Sequence, residues 1–346
     1  MVWMETWQIV LLAIVIFFAV WIVGTAIFAA VVNRRYPPIG KFVQCEGVRL
    51  HYVERGNETS PVLVFLHGNG MMIQDFVISG LLEQAAQRCR VLCFDRPGFG
   101  HSTRPRRRIW TPEAEAQLFA TALNQLGIDR AAIVGHSWGT LVTVALGLHS
   151  PELVQGLVLA AGYYFPTPRK DVWPLSAPAI PVFGDLLRYT ISPLLSWFLL
   201  PKLLGIMFAP RAVPARFLRE FPLSMTVRPL QLRAAAEETA MMIPAAASLQ
   251  GRYAGLTCPV AMIAGDKDQV VNPDQTSRLH AILSQSVVRI VSEAGHMVHH
   301  AAPNELIEAI GVITSPKEEP PKEPESKIVT IEAQTKRRSG RSGRPR

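Results

Sequence analysis

Cysteine is scarce: the 346 residues hold four, Cys45, Cys89, Cys93 and Cys258, with no two at the C-x-x-C spacing. That spacing argues against a zinc site or a redox pair and leaves buried free thiols in or beside strands as the expectation. Charge is scarce too, at 18% against 49% hydrophobic residues, a composition ample for one large domain with a sizeable core plus appendages. Acidic residues are missing altogether from residues 336–346, which carry Lys336, Arg337, Arg338, Arg341, Arg344 and Arg346. Those six supply most of the formal net charge of +8; without them it is +2. The body shows no nucleic-acid-binding motif and no internal repeat. The excess charge therefore reads as a solvated basic tail that could meet anionic lipid or another polyanion, and no nucleic-acid partner is expected.

Residues 9–32, IVLLAIVIFFAVWIVGTAIFAAVV, contain no charged side chain. One bilayer crossing needs ~20 apolar residues in a helix, and this run lacks the polar side that a buried core helix would show. A cleaved signal peptide is the rival. The segment before the run is not basic, with Glu5 its one charge, and the run exceeds the ~7–15 residues of a signal core. A retained single-pass anchor over residues 1–33 is the reading, with Trp3, Trp7 and, though it sits mid-run, Trp21 as interfacial rings. Arg34, Arg35 and Lys41 follow it, so the bias of basic residues towards the inner side puts the remaining chain in the cytoplasm.

A short linker, residues 34–41, is stiffened by Pro37 and Pro38. Beyond it, apolar strand-like runs alternate with helix-like ones. FVQCEGVRLHYVERG reads as a hairpin with Glu46-Gly47 at its turn. PVLVFLHG, RVLCFDRPG, AAIVGHS, LVQGLVLAAG, PVAMIAGDKD and VVRIVSEAGH read as strands that are apolar throughout. Such strands, separated by helices, mean a mostly parallel sheet covered on both faces. Thr111, Pro112 and Gly127 punctuate one of the helices as N-cap, first position and end. Residues 163–257 are an excursion rich in proline, leucine and aromatics; Pro193 and Pro201 should break its most apolar stretch, and helices lidding an apolar cleft are expected. Residues 315–346 are proline-rich, charged and too poor in large apolar side chains to repay their ordering entropy, so they read as disordered.

GHSWGT, residues 135–140, lies where the strand AAIVG gives way to a helix. In that context glycines two places either side of a serine permit a tight strand-to-helix turn that thrusts the hydroxyl out at the sheet edge. The helix start offers N–H groups to developing negative charge. Ser137 is thus a candidate nucleophile, and a serine needs a base. His296 in EAGHMVHH is the candidate, with His299 and His300 as rivals; His136 reads as a packing residue beside the serine. The base needs a carboxylate to hold its tautomer. Asp268 in AGDKDQVV is the candidate and Asp266 its competitor. The oxyanion donors are assigned to the backbones of Asn69, in FLHGNGM, and Trp138, with Gly70 as an alternative to Asn69. His67 reads as pinning that loop, and Arg104, Arg106, Arg107 and Arg108 as a solvated loop.

Taken together, HGNG, DRPGFGHS, GHSWGT, GDKDQVV and AGH resemble the ordered motifs of the α/β-hydrolase superfamily, over residues 42–314. The resemblance implies an α/β fold with an eight-stranded, mostly parallel sheet and helices on both faces. It also implies a helical cap at residues 163–257, splitting the core into 42–162 and 258–314, and a Ser–His–Asp triad with no cofactor and no metal. Asp95 resembles a structural residue of that family. The expected function is a membrane-anchored serine hydrolase cleaving an ester-like bond of a lipophilic small molecule or lipid. Epoxide hydrolases and haloalkane dehalogenases of the family carry an acid where this chain has Ser137. Carbon–carbon bond hydrolases and cofactor-free haloperoxidase-type members keep the serine, and a non-catalytic binding protein on the same fold is the remaining alternative.

Overall fold

The computed structural model describes residues 5–283 and 285–314; the expected disordered tail at 315–346 and the interfacial Trp3 lie outside them. One eight-stranded sheet runs through the molecule. Its strands are β1 (Lys41–Cys45), β2 (Val48–Arg55), β3 (Val62–Leu66), β4 (Arg90–Phe94), β5 (Ala131–His136), β6 (Val154–Ala160), β7 (Val260–Gly265) and β8 (Val287–Val291). The spatial order is β1-β2-β4-β3-β5-β6-β7-β8. β1 and β2 form the expected hairpin, and β2 also runs antiparallel to β4; every other pairing is parallel. At the hairpin turn Glu46 and Gly47 both have positive φ, 47° and 76°, the backbone that lets a two-residue turn match the twist of its strands.

Successive side chains of a strand point to opposite faces, and both faces of the central strands are buried, whereas the edge strands β1 and β8 are largely exposed, β8 against expectation. In β3, Val64 and Leu66 join one core layer while Leu63 and Phe65 join the other. The same alternation divides Ile133 from Val134 in β5. This explains the unbroken apolar runs in the sequence. α1 (Thr6–Arg35) precedes the sheet, and α2 (Ile73–Ser79) and α3 (Leu81–Ala85) link β3 to β4. α4 (Pro112–Gln125) and α5 (Trp138–His149) flank β5. As expected, α4 is capped by Thr111, whose hydroxyl accepts from the Ala114 N–H at 3.2 Å.

Between β6 and β7 the chain forms α6 (Val172–Ser176), α7 (Phe183–Tyr189), α8 (Ile191–Phe208), α9 (Ala215–Glu220), α10 (Leu223–Thr226) and α11 (Pro229–Leu249). The core closes with α12 (Asp274–Ile282), α13 (Val298–Ala301) and α14 (Pro303–Thr314). Two expectations, one for this excursion and one for the arginine loop between β4 and α4, need correction. Pro193 and Pro201 do not break α8, which runs 18 residues through both. Pro193 falls in the first turn, where the missing N–H would have no partner anyway, whereas Pro201 costs one internal hydrogen bond that the helix bears. Nor is the arginine loop uniformly solvated. Arg104 is buried, with its Nε 2.6 Å from Glu237 of α11 and its Nη1 2.9 Å from the Pro97 carbonyl oxygen. Arg106 makes a two-pronged pair with Asp185 of α7, at 2.8 and 2.9 Å.

Deeper in, Arg96 donates to Glu238 of α11 (2.9 Å from Nη2) and to Glu115 of α4 (3.1 Å from Nη1), all three side chains being inaccessible to solvent. Burial pushes the Glu238 carboxyl up, to about 7, with Arg96 pulling the other way. A carboxyl whose folded value lies above its unfolded one holds more protons in the folded state. Stability from this group therefore falls as pH rises from the unfolded value of 4.5 to about 7. Glu238→Gln should flatten that slope. Urea midpoints measured at about pH 5 and about pH 8 check it, and an unchanged slope would exonerate Glu238.

Among the described residues two helices are long and apolar enough to cross a membrane by length and composition, α1 and α8. α1 is largely exposed along its first half. Its second half meets the excursion: Trp21 Nε1 donates to the Thr190 carbonyl at 3.0 Å and Thr25 Oγ1 to the Tyr189 carbonyl at 2.9 Å. Further along, Arg228 donates to the side-chain oxygen of Asn33.

Candidate active site

β5 ends at His136 and α5 begins at Trp138, leaving Ser137 alone to make the turn. It does so at φ 52°, ψ −120°, outside the regions that L-residues favour; such a conformation costs on the order of 1–3 kcal/mol and persists only where its surroundings enforce it. The flanking glycines show how tight the turn is. A Cβ on Gly135 would stand 2.5 Å from Thr143 Oγ1, and one on Gly139 would stand 2.3 Å from the Leu66 carbonyl oxygen. No other residue fits either place without moving backbone or the core.

The loop after β7 carries Asp268 and the loop after β8 carries His296. The structure brings both to Ser137. The serine Oγ lies 2.9 Å from His296 Nε2, and His296 Nδ1 lies 2.8 Å from Asp268 Oδ2. Asp268 Oδ1 is held by the N–H groups of Val270 and Val271, at 2.8 and 2.9 Å, which leaves Oδ2 for the imidazole. The line reads as Ser O–H donating to Nε2 and Nδ1–H donating to the carboxylate. The histidine and aspartate side chains are 2% and 1% exposed, so water hardly competes for these bonds. Asp266, the competitor, instead faces Lys267, with Nζ 3.4 Å away.

The loop carrying Asn69 abuts the serine: a Cβ on Gly68 would lie 3.0 Å from that of Ser137. Trp138 opens α5, so its N–H is a helix-start donor with no carbonyl four residues back; its ring is buried in the core. The Asn69 side chain does something the sequence did not suggest. Its Nδ2 donates to the Ala235 carbonyl and to Thr239 Oγ1 of α11, both at 3.1 Å, tying the loop to the excursion. His67 pins the same loop, its ring 2.8 Å from the Gly68 carbonyl and accepting the Arg96 N–H at 3.0 Å. Complete burial, then the Arg96 charge, hold His67 down to about 3, so it stays neutral.

Asp95 accepts from the backbone N–H groups of Ile73 and His101, both at 2.9 Å, and its Oδ2 lies 2.7 Å from His51 Nδ1. Those contacts fix the turn after β4. His299 and His300 sit on α13, facing away from the serine, and flank Asp75 at 3.0 and 2.8 Å. Burial would raise the Asp75 carboxyl; the two histidines outweigh it and hold it well below the usual range. Among the described residues this is the group with the donor set of a cation site, its ligand atoms within 4.8 Å of one another. Those atoms are already engaged with each other by hydrogen bonds. His136 joins the cluster to the site: its ring lies 4.4 Å from that of His299, and its Nε2 is 3.0 Å from the His296 carbonyl oxygen, to which it donates. Burial keeps His136 well below its ordinary value and neutral. Asp75 carried no signal in the sequence, because its partners lie more than 220 residues away.

Residues 63–309 match the profile of the alpha/beta hydrolase family. The chain is 27% identical to haloalkane dehalogenase 2 of Mycobacterium tuberculosis, over 80% of this chain and 94% of that one. It is 28% identical to a 2-hydroxymuconate semialdehyde hydrolase of a Pseudomonas species, over 77% of this chain and 91% of that one. Among solved structures, a bacterial membrane phospholipase A described as a virulence factor superposes with a TM-score of 0.61 at 22% identity, covering 88% of this chain and 96% of that one.

Proposed function

Because the chain belongs to the alpha/beta hydrolase family, we propose that it works as a serine hydrolase on an ester-like bond of a lipophilic small molecule or lipid. The observation that carries this reading is the unbroken hydrogen-bonded line from Asp268 through His296 to Ser137. Ser137 attacks the carbonyl while His296 takes its proton. The Asn69 and Trp138 N–H groups receive the developing oxyanion, each such donor contributing ~3–4 kcal/mol to the transition state. His296 then protonates the leaving group and activates the water that frees the acid, and Asp268 steadies the imidazolium throughout. No step calls for a metal or cofactor. A serine where dehalogenases of this family carry an acid argues against halide displacement, despite the likeness to a named dehalogenase.

The test is labelling by a fluorophosphonate probe. Folded protein should label stoichiometrically at Ser137, and labelling that survives Ser137→Ala would sink the reading. Asp268→Asn should leave the fold intact and lower kcat by about 10⁴-fold, because the imidazole loses its enforced tautomer. Steady-state turnover of p-nitrophenyl esters checks this. A chain-length series of the same esters tests the lipophilic preference: turnover of acetate alone would point to a small-ester enzyme.

Carbon–carbon bond hydrolysis on the same three residues is the second reading, favoured by the likeness to a 2-hydroxymuconate semialdehyde hydrolase. Direct assay with that semialdehyde separates the two. The uncharged, exposed run of α1 supports a single-pass anchor, and Arg34, Arg35 and Lys41 beyond it support a cytoplasmic catalytic domain.

A further inference from the structure

Where the second half of α1 crosses α8, a cavity of about 470 Å³ opens between them, within the ~300–1,000 Å³ range of small-ligand sites. Trp21, Gly24 and Phe28 line it from α1, and Pro193, Leu194 and Trp197 from α8. Spacings of three and four put Trp21, Gly24 and Phe28 on one face of α1, and Trp197 stands three and four residues from Leu194 and Pro193 on α8. Most of the cavity's polar side chains are already engaged, Ser224 being the remaining hydroxyl on its lining. Trp21 Nε1 and Thr25 Oγ1 donate to backbone carbonyls of the excursion, and Thr190 Oγ1 donates to the Leu186 carbonyl at 2.6 Å. A ligand with hydrogen-bonding needs would find those groups occupied; a hydrocarbon chain needs none.

The surroundings identify the source of such a chain. On its outer side α8 exposes Leu195 and Phe198, at 54% and 76%, and α7 exposes Phe183 at 53%. Exposed apolar side chains thus stand on α1, α7 and α8 alike, far from ordinary for a water-facing surface. We propose that this cavity is an acyl-chain site, filled by a fatty chain of the surrounding bilayer, and that α8 lies in the membrane beside α1. The proposal rests on α1 being a membrane anchor. It differs from the hydrolytic site in residues and in chemistry, and it makes lipid a structural partner of the excursion as well as a possible substrate.

Gly24 supplies the test, because a Cβ built there meets nothing within 4 Å. Gly24→Leu therefore projects a side chain into the cavity from a position with open space at its Cβ. Full-length protein is reconstituted in phospholipid nanodiscs containing a phosphatidylcholine with a diazirine midway along one chain. After photolysis, adducts are mapped by mass spectrometry. Wild type should carry adducts on the peptides holding Phe28 and Trp197, and Gly24→Leu should lose them at least tenfold while fluorophosphonate labelling of Ser137 is unchanged. Adducts confined to residues 9–18 in wild type, or adducts at Trp197 undiminished in Gly24→Leu, would overturn the site. Release of the chain from vesicles by alkaline carbonate would overturn the anchor itself and with it the proposal, a distinct failure from the loss of adducts in a chain that stays embedded.

Discussion

Ser137→Ala should lower kcat on p-nitrophenyl esters by about 10⁴–10⁶-fold while leaving the unfolding midpoint close to wild type. On the proposed mechanism the loss is large because the hydroxyl is the one group that would form the covalent bond; His296 and the backbone donors would still polarise a bound ester and orient water, which would set the floor. The three residues act as a unit, so Ser137→Ala combined with Asp268→Asn should be hardly slower than Ser137→Ala alone. Stopped-flow measurement of the acyl burst sharpens the test: the burst should vanish in Ser137→Ala. Retention of a tenth of wild-type turnover by pure Ser137→Ala would remove serine from the mechanism.

Arg96→Ala should destabilise the protein by about 3–5 kcal/mol, because it leaves Glu238 buried without its ion-pair partner and Glu115 with only the more distant Arg104, 3.8 Å away. Against a typical total stability of ~5–15 kcal/mol this is close to loss of the fold. The cost is chiefly that of uncompensated charge, not of a missing contact. Combining Arg96→Met with Glu115→Gln and Glu238→Leu should therefore recover most of the stability, since apolar replacements for a whole buried ion cluster are often neutral or better. Urea unfolding of the three proteins decides it. If Arg96→Ala falls within ~1 kcal/mol of wild type, the cluster is not what fastens α11 to the core.

The sheet was legible in the sequence because strands buried on both faces are apolar at every position, as at Val62–Leu66 and Val260–Gly265. The elbow was legible because two glycines and a serine stand at fixed spacing next to such a strand. What escaped was whatever depends on partners distant in the chain. Arg104 in an arginine run looks solvated until Glu237, 133 residues on, is placed beside it. Pro201 looks like a helix breaker until α8 is seen to run on past it. Asp75 sits in the mainly apolar stretch MMIQDFVI, and only the fold sets His299 and His300 against it. α2, which carries Asp75, was itself unanticipated. Local pattern encodes which segments are buried; it does not encode which buried charge meets which.

The sheet order has a bearing on when the protein first becomes chemically competent. Ser137 is set in its turn by β3, β5 and β6, strands made in the first half of the chain, whereas Asp268 and His296 follow β7 and β8, made after the whole excursion. A nascent chain that has emerged only as far as α11 holds its serine with no base and no carboxylate. On the proposed mechanism, reactivity would therefore arrive late and all at once, when the last two strands add to the open edge of the sheet. Appearance of probe labelling during synthesis would be a clock for that final docking step.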